Sequence, residues 1–324
     1  MNMRNSFVAA VLGVTLAGGA QAQTKWDMPT PYSDGEYHTI NNRQFAEDVK
    51  KASGGQLELN IHSNGSLIKQ PDMLRAVSTG QVPIAEFLLG NFGNEDPVFA
   101  VDNLPFLAAG WDNAWKLYEA QKSTLEKKLQ GRGLQLLYSV AWPGQGIYTK
   151  TPLKSVDDLK GTKFRTYSPQ TARLAELLGA SPTVIQVPEV PQAFATGTIS
   201  AMITSSATGQ QTKAWEFVKN YYTTNAFHPK NVVVVNARAF QALTAAQKKA
   251  LTDAAAAAEK RGWDLAKQRE QSANKMLADN CITLHEPDAG MKQAFQKVGE
   301  TMVAEWLKTA GPEGEAIVKA YRAK

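Results

Sequence analysis

Arg165 is the residue around which chemistry can be built. It lies in the stretch DLKGTKFRTYSP, residues 158–169, inside a short strand that Ser-Pro then stops. Phe164 and Thr166 fall on one face of such a strand, and Lys163, Arg165 and Tyr167 on the other. Ser168 suits an N-cap and Pro169 the first helical position, so the strand feeds a helix. An arginine near the carboxyl end of a strand, just before a helix N-terminus, occupies the edge where open α/β sheets bind ligands. A guanidinium there grips a carboxylate through two parallel hydrogen bonds, and the helix N-terminus favours an anion. On this stretch alone, pairing with Asp157 or Asp158 accounts for the arginine equally well.

Thr204, Ser205 and Ser206 follow the apolar run ISAMI and read either as a helix cap or as neutral hydrogen-bond donors at the same sheet edge. Trp142, Tyr148, Tyr167 and Trp215 fall at strand ends or early helix positions. Each alone reads as core; together they would wall an apolar pocket with polar tips. Catalytic signals are thin. His38, His62, His228 and His285 have no metal-ligand spacing, and the chain has no nucleophile elbow or phosphate loop. Gly144-x-Gly146 is not completed to a dinucleotide fingerprint. No metal site and no cofactor are expected. Cys281, the sole cysteine, excludes an intrachain disulfide and reads as a buried, inert thiol.

The elements that must position these residues alternate along the chain. TKWDM, QLELNIH, VPIAEFL, LQLLYSVAW, SPTVIQV and ISAMI read as strands, and the four-valine run NVVVVN, 231–236, as a central one. Helices are predicted over 36–52, 71–79, 111–130 and 188–196, and from a Thr244–Gln247 capping box to about 279. The class is α/β with buried strands in two three-layer units. No low-complexity linker separates them, so the chain is expected to cross between the units in extended segments at 139–149 and 222–236.

Residues 1–22 read as a cleaved secretory signal peptide: Arg4, an apolar run from Phe7 to Leu16, and a small-x-small Ala20-Gln21-Ala22 site. No cysteine follows the site to carry a lipid, so the mature chain is expected free in the bacterial periplasm. The formal charge is +5, but the basic pairs Lys50-Lys51, Lys127-Lys128 and Lys248-Lys249 are scattered on helices with acids nearby. That is a solvated face and not a nucleic-acid footprint.

Several stretches, in order, carry a family likeness: FAEDVKKASGGQLELNIHSNGSL, DMLRAVSTGQVPIAE, VDNLPFL, KSVDDLKGTKFRTYSPQTARLAELLGASPT and EVPQAFATGTISAM. With them the chain resembles the secreted solute-binding subunits of TRAP (tripartite ATP-independent periplasmic) transporters. The resemblance implies two α/β lobes around a ligand cleft, hinge strands, a long bridging helix, and closure on ligand. Lobe I would take 23–142 plus about 231–270, and lobe II 143–230 plus about 271–324.

It further implies that Arg165 pairs with a substrate carboxylate. Many members follow their Thr-Gly with Val-Asp-Gly, an acid and an asparagine; here Ile199 to Thr204 stand there, so Thr204 and its hydroxyl neighbours replace the amide contact. Gln145 stands where sialic-acid binders carry a second arginine. Glu86 and Tyr32 match common contact positions, and Asn231 in the second crossing completes the expected set, with Lys230 beside it as a candidate second cation. One firm cation and several flat walls point to a small ring-bearing or 2-oxo/2-hydroxy monocarboxylate, delivered by a monomer to integral membrane permease subunits. Alternatives are a secreted enzyme acting on a carboxylate, with Glu86 as general base, or a ligand-presenting sensor subunit.

Overall fold

The computed structural model describes residues 23–324; the expected signal peptide, residues 1–22, lies outside the described residues. In chain order the elements are β1 (Thr24–Pro29), α1 (Tyr37–Ala52), β2 (Leu57–His62), α2 (Gln70–Thr79), β3 (Ile84–Leu88), α3 (Trp111–Gln130), β4 (Leu134–Ala141) and β5 (Gln145–Thr149). There follow β6 (Lys163–Thr166), α4 (Pro169–Leu177), β7 (Ser181–Val184), α5 (Val190–Ala195), β8 (Ala201–Ser205), α6 (Ser206–Gln211) and β9 (Asn220–Tyr222). Last come β10 (Lys230–Asn236), α7 (Ala237–Ala242), α8 (Ala245–Asp279), β11 (Thr283–His285) and α9 (Ala289–Arg322).

The fold is two-lobed α/β. In the first lobe β1 pairs parallel with β2, and β10 lies antiparallel between β3 and β4. Val232 to Val235 are each no more than 1% exposed, as a strand covered on both faces requires. The second lobe holds a six-stranded sheet in the order β11-β9-β5-β8-β6-β7. There β6 is internal and parallel to both neighbours. Covering both faces of so short a strand buries Phe164, Arg165 and Thr166 alike.

The two expected crossings run side by side. Trp142 N donates to Pro229 O at 2.8 Å, and Gln145 N to Phe227 O at 3.0 Å. The 35-residue α8 is the bridge: Arg261 reaches Asn41 and Asp48 of α1, and Arg269 reaches Gln210 of α6. Gly262 permits its close approach, since a Cβ there would sit 2.3 Å from Val140 Cγ2 of β4. The C-terminal α9 leans on both lobes, with Trp306 Nε1 donating to Pro97 O and Glu305 paired with Arg173 of α4. Its axis breaks at Gly311, φ 56°, just before Pro312.

Cys281 is exposed, not buried. It takes the left-handed position, φ 65°, after α8, while Ile282 N turns back to Leu277 O. That helix-ending turn places Ile282, not Cys281, in the core.

Candidate functional site

Arg165 enters the space between the lobes from the end of β6 and is 1% exposed. Nε donates to Ile185 O at 2.9 Å and Nη1 to Ile203 O at 3.3 Å, two main-chain carbonyls that hold the guanidinium in place. Its Cζ lies 5.0 Å over the Tyr167 ring. No carboxylate pairs with it among the described residues. Asp157 is taken by Lys160, and Asp158 accepts from Lys154 N and Ser155 N. Burial pulls the guanidinium down to about 10, with Tyr167 and Tyr32 opposing, so it remains charged at neutral pH. A buried cation without an acid is costly unless an anion is bound beside it.

Around it closes a cavity of about 440 Å³, open solvent at its mouth included. Seven expected residues line it: Arg165, Gln145, Trp142, Thr204, Ser205, Tyr32 and Tyr167. Tyr167 donates to Gln145 Oε1 at 2.9 Å, and Gln145 Nε2 to Pro143 O at 2.9 Å, leaving one amide proton free. Ser205 ends β8 and caps α6, its Oγ accepting from Thr208 N. The helix N-terminus beyond Arg165 does not serve as an anion site, because Ser168 and Thr171 cap each other and close α4 on itself.

Other expected residues stand outside the lining. Ser206 begins α6 and is sealed, its hydroxyl unbonded among the described residues. Trp215 does not reach the cavity: the turn after α6 carries it into an apolar cluster with Phe194 and Val218. Tyr148 is also core; strand alternation puts it on the face opposite Gln145, where it stacks on Tyr221 at 4.2 Å. Lys230 is not a second cation for the cavity, because its Nζ lies 3.0 Å from Asp102 Oδ2 and both side chains are 1% exposed.

Glu86 and Asn231 sit directly behind the lining. Glu86 Oε2 accepts from Thr30 Oγ1 at 2.5 Å and Asn42 Nδ2 at 2.6 Å, and Oε1 accepts from Asn231 Nδ2 at 3.0 Å. His38 Nδ1 lies 3.3 Å from the same Oε1. Burial alone would push this carboxyl up; His38, Thr30 and Asn231 outweigh it and hold it below the usual carboxylate range. Burial also pushes the His38 imidazole down, against the pull of Glu86. Glu86 is 1% exposed, has its carboxylate hydrogen-bonded within the fold, and does not line the cavity.

Sequence reading missed Gln70, Gln186 and Thr208 in the lining. Gln70 Nε2 of α2 donates across the cleft to Gln186 Oε1 at 3.0 Å, and Gln211 Nε2 of α6 to Ser33 Oγ at 2.9 Å. The lobes are therefore closed on each other. Gln186 follows β7 at the same carboxyl edge as Arg165, which was the available signal for it.

The match to known proteins is extensive. The family described as bacterial extracellular solute-binding protein, family 7, matches residues 31–309. The Bordetella pertussis extracytoplasmic solute receptor DctP6, solved binding pyroglutamic acid, is 48% identical, covering 93% of this chain and 100% of its own, with a TM-score of 0.92. A marine metagenome TRAP solute-binding protein, specific for pyroglutamate, is 36% identical over 94% of this chain and 100% of its own, also at 0.92. The C4-dicarboxylate-binding periplasmic protein DctP of Rhodobacter capsulatus is 27% identical over 291 residues, 87% of this chain and 86% of its own. On this evidence of fold, sequence and cleft together, the chain belongs to the bacterial extracellular solute-binding proteins of family 7, the receptor subunits of TRAP transporters.

Proposed function

We propose that this receptor captures a small ring-bearing monocarboxylate, pyroglutamate first among them, and releases it chemically unchanged to integral membrane permease subunits. The observation that carries the reading is the buried Arg165 guanidinium, which lines the cavity with no acid to neutralise it. Its free N–H groups would take the carboxylate. Thr204, Thr208 and the free Gln145 amide proton would serve carbonyl or hydroxyl oxygens, and Trp142, Tyr32 and Leu88 would cover an apolar ring. One unpaired cation supports one carboxylate: a second would be desolvated without a partner. The pyroglutamate ligands of the receptors 48% and 36% identical support the same choice.

The working form in this proposal is a monomer, secreted to the periplasm after cleavage near residue 22. Its lobes divide at the paired crossings, 23–142 with about 231–270 and 143–230 with about 271–324. The test is calorimetric titration of the purified chain with pyroglutamate, uronates, 2-oxo acids and C4 dicarboxylates, with the recovered ligand checked by NMR. Tight binding of intact pyroglutamate is expected. Tight succinate or malate binding, with no response to any ring-bearing monocarboxylate, would overturn the reading, as would turnover.

A further inference from the structure

We infer that the lobe I wall of the cavity is wired as a hydrogen-bond acceptor at Tyr32, the residue that selects ligands carrying an N–H. The wiring begins at Glu86. A carboxylate only accepts, so the Asn231 amide must turn its Nδ2 to Glu86 Oε1, which it does at 3.0 Å. Asn231 Oδ1 then faces the other way and accepts from Trp142 Nε1 at 2.9 Å. Reversing the amide would set oxygen against carboxylate and N–H against N–H, so both partners dictate one orientation. The same Oδ1 lies 3.2 Å from the Tyr32 hydroxyl, which can only donate to it.

The second neighbour of that hydroxyl leads to the same result. Gln70 gives one Nε2 proton to Gln186 Oε1 and, like Gln145, keeps the other, so its Oε1 faces Tyr32, at 3.3 Å. Two acceptors thus compete for the single Tyr32 proton, and the lone pairs are what the hydroxyl has left for the cavity it lines. The indole proton of Trp142 is likewise spent. Lobe II has the opposite polarity: Arg165 and Gln145 keep free N–H groups, and Thr208 Oγ1, which accepts from Ser205 Oγ, keeps its own proton. A ligand matched to both walls presents oxygens to lobe II and an N–H to lobe I. A ring oxygen in place of that N–H would oppose lone pair to lone pair.

This rests on the carboxylate reading of Arg165, and Glu86 and Asn231 act as positioning residues through Tyr32. The test is calorimetry on two isosteric pairs of equal charge: pyroglutamate against 5-oxotetrahydrofuran-2-carboxylate, and pyrrole-2-carboxylate against furan-2-carboxylate. Whichever pair binds, the N–H member should be preferred by about 10-fold or more. Tyr32→Phe should lower affinity for that member and erase the preference. The double variant Asn231→Ala, Gln70→Leu, which leaves Tyr32 in place and removes both acceptors of its proton, should weaken the N–H member and strengthen the oxygen member; a merely structural role would weaken both alike. If pyroglutamate does not bind but pyrrole-2-carboxylate is preferred to its oxygen isostere, the ligand assignment fails and the wiring stands. Equal affinity within the binding pair, or a preference unchanged in Tyr32→Phe, would overturn the wiring whatever the ligand.

Discussion

Among the described residues two cations, Lys230 and Arg165, are buried, and their surroundings differ. Lys230 lies at the start of β10, 3.0 Å from Asp102, which also accepts from its backbone N–H. Arg165, equally buried, has two carbonyls and an aromatic face but no acid. Burial pulls both downward; only for Lys230 does a neighbouring carboxylate pull back. The first charge is completed within the fold and belongs to stability. The second is left to be completed by something that binds, and belongs to function.

The sharpest way to break this comparison is to exchange the consequences. Lys230→Met strands a buried Asp102 and should cost about 3–5 kcal/mol of stability, measured by urea unfolding, with ligand affinity nearly unchanged. The double variant Lys230→Met, Asp102→Asn should recover much of that loss. A large affinity change from Lys230→Met at unchanged stability would reverse the assignment of roles. Arg165→Ala should behave oppositely: carboxylate affinity falls about 100-fold or more, while the melting temperature without ligand holds or rises, because an unpaired buried charge is gone. Arg165→Lys should restore little, since an ammonium lacks the planar fork.

A buried acid, Glu36, sharpens the contrast from the other side. Glu36 caps α1, is 1% exposed, and is raised by burial to about 7, with Arg269 and the Tyr37 N–H opposing. Its folded value lies above the unfolded one, so the folded state holds the proton more tightly. Stability from this group is therefore present at acid pH and lost as pH rises from about 4.5 through about 7. Glu36→Gln should remove that slope, worth about 1–3 kcal/mol, in melting curves across this range. A slope unchanged in the variant would discount the group.

The smallest effect concerns the contacts that close the cleft over Arg165. Gln186→Ala removes the bond to Gln70 and should weaken ligand binding about 5-fold, the worth of one hydrogen bond of about 1 kcal/mol. Small-angle scattering should show the radius of gyration fall on ligand addition in the wild type. An unchanged profile at saturation would argue for a rigid pocket.

Much of this was legible along the chain because its causes are local. Ser168 and Pro169 start α4, the Thr244–Gln247 box starts α8, and the four-valine run is the central β10. These follow from capping, fixed φ and hydrophobic period, which act within a few residues. Arg165 was legible as a ligand group for the same reason, being at the end of a strand and before a helix. What each polar group does with its hydrogen bonds was not local. Lys230 is neutralised from 128 residues away, and Glu86 is saturated by Thr30, Asn42 and Asn231. Tyr148 and Trp215 resembled Trp142 in sequence, yet strand alternation and one turn sent them to the core. The sequence by itself determined many of the elements, though not α9, and the charge that needs a partner. Only the tertiary structure decided which charges were already satisfied, because a buried donor or acceptor is settled by whichever partner the fold brings within about 3 Å.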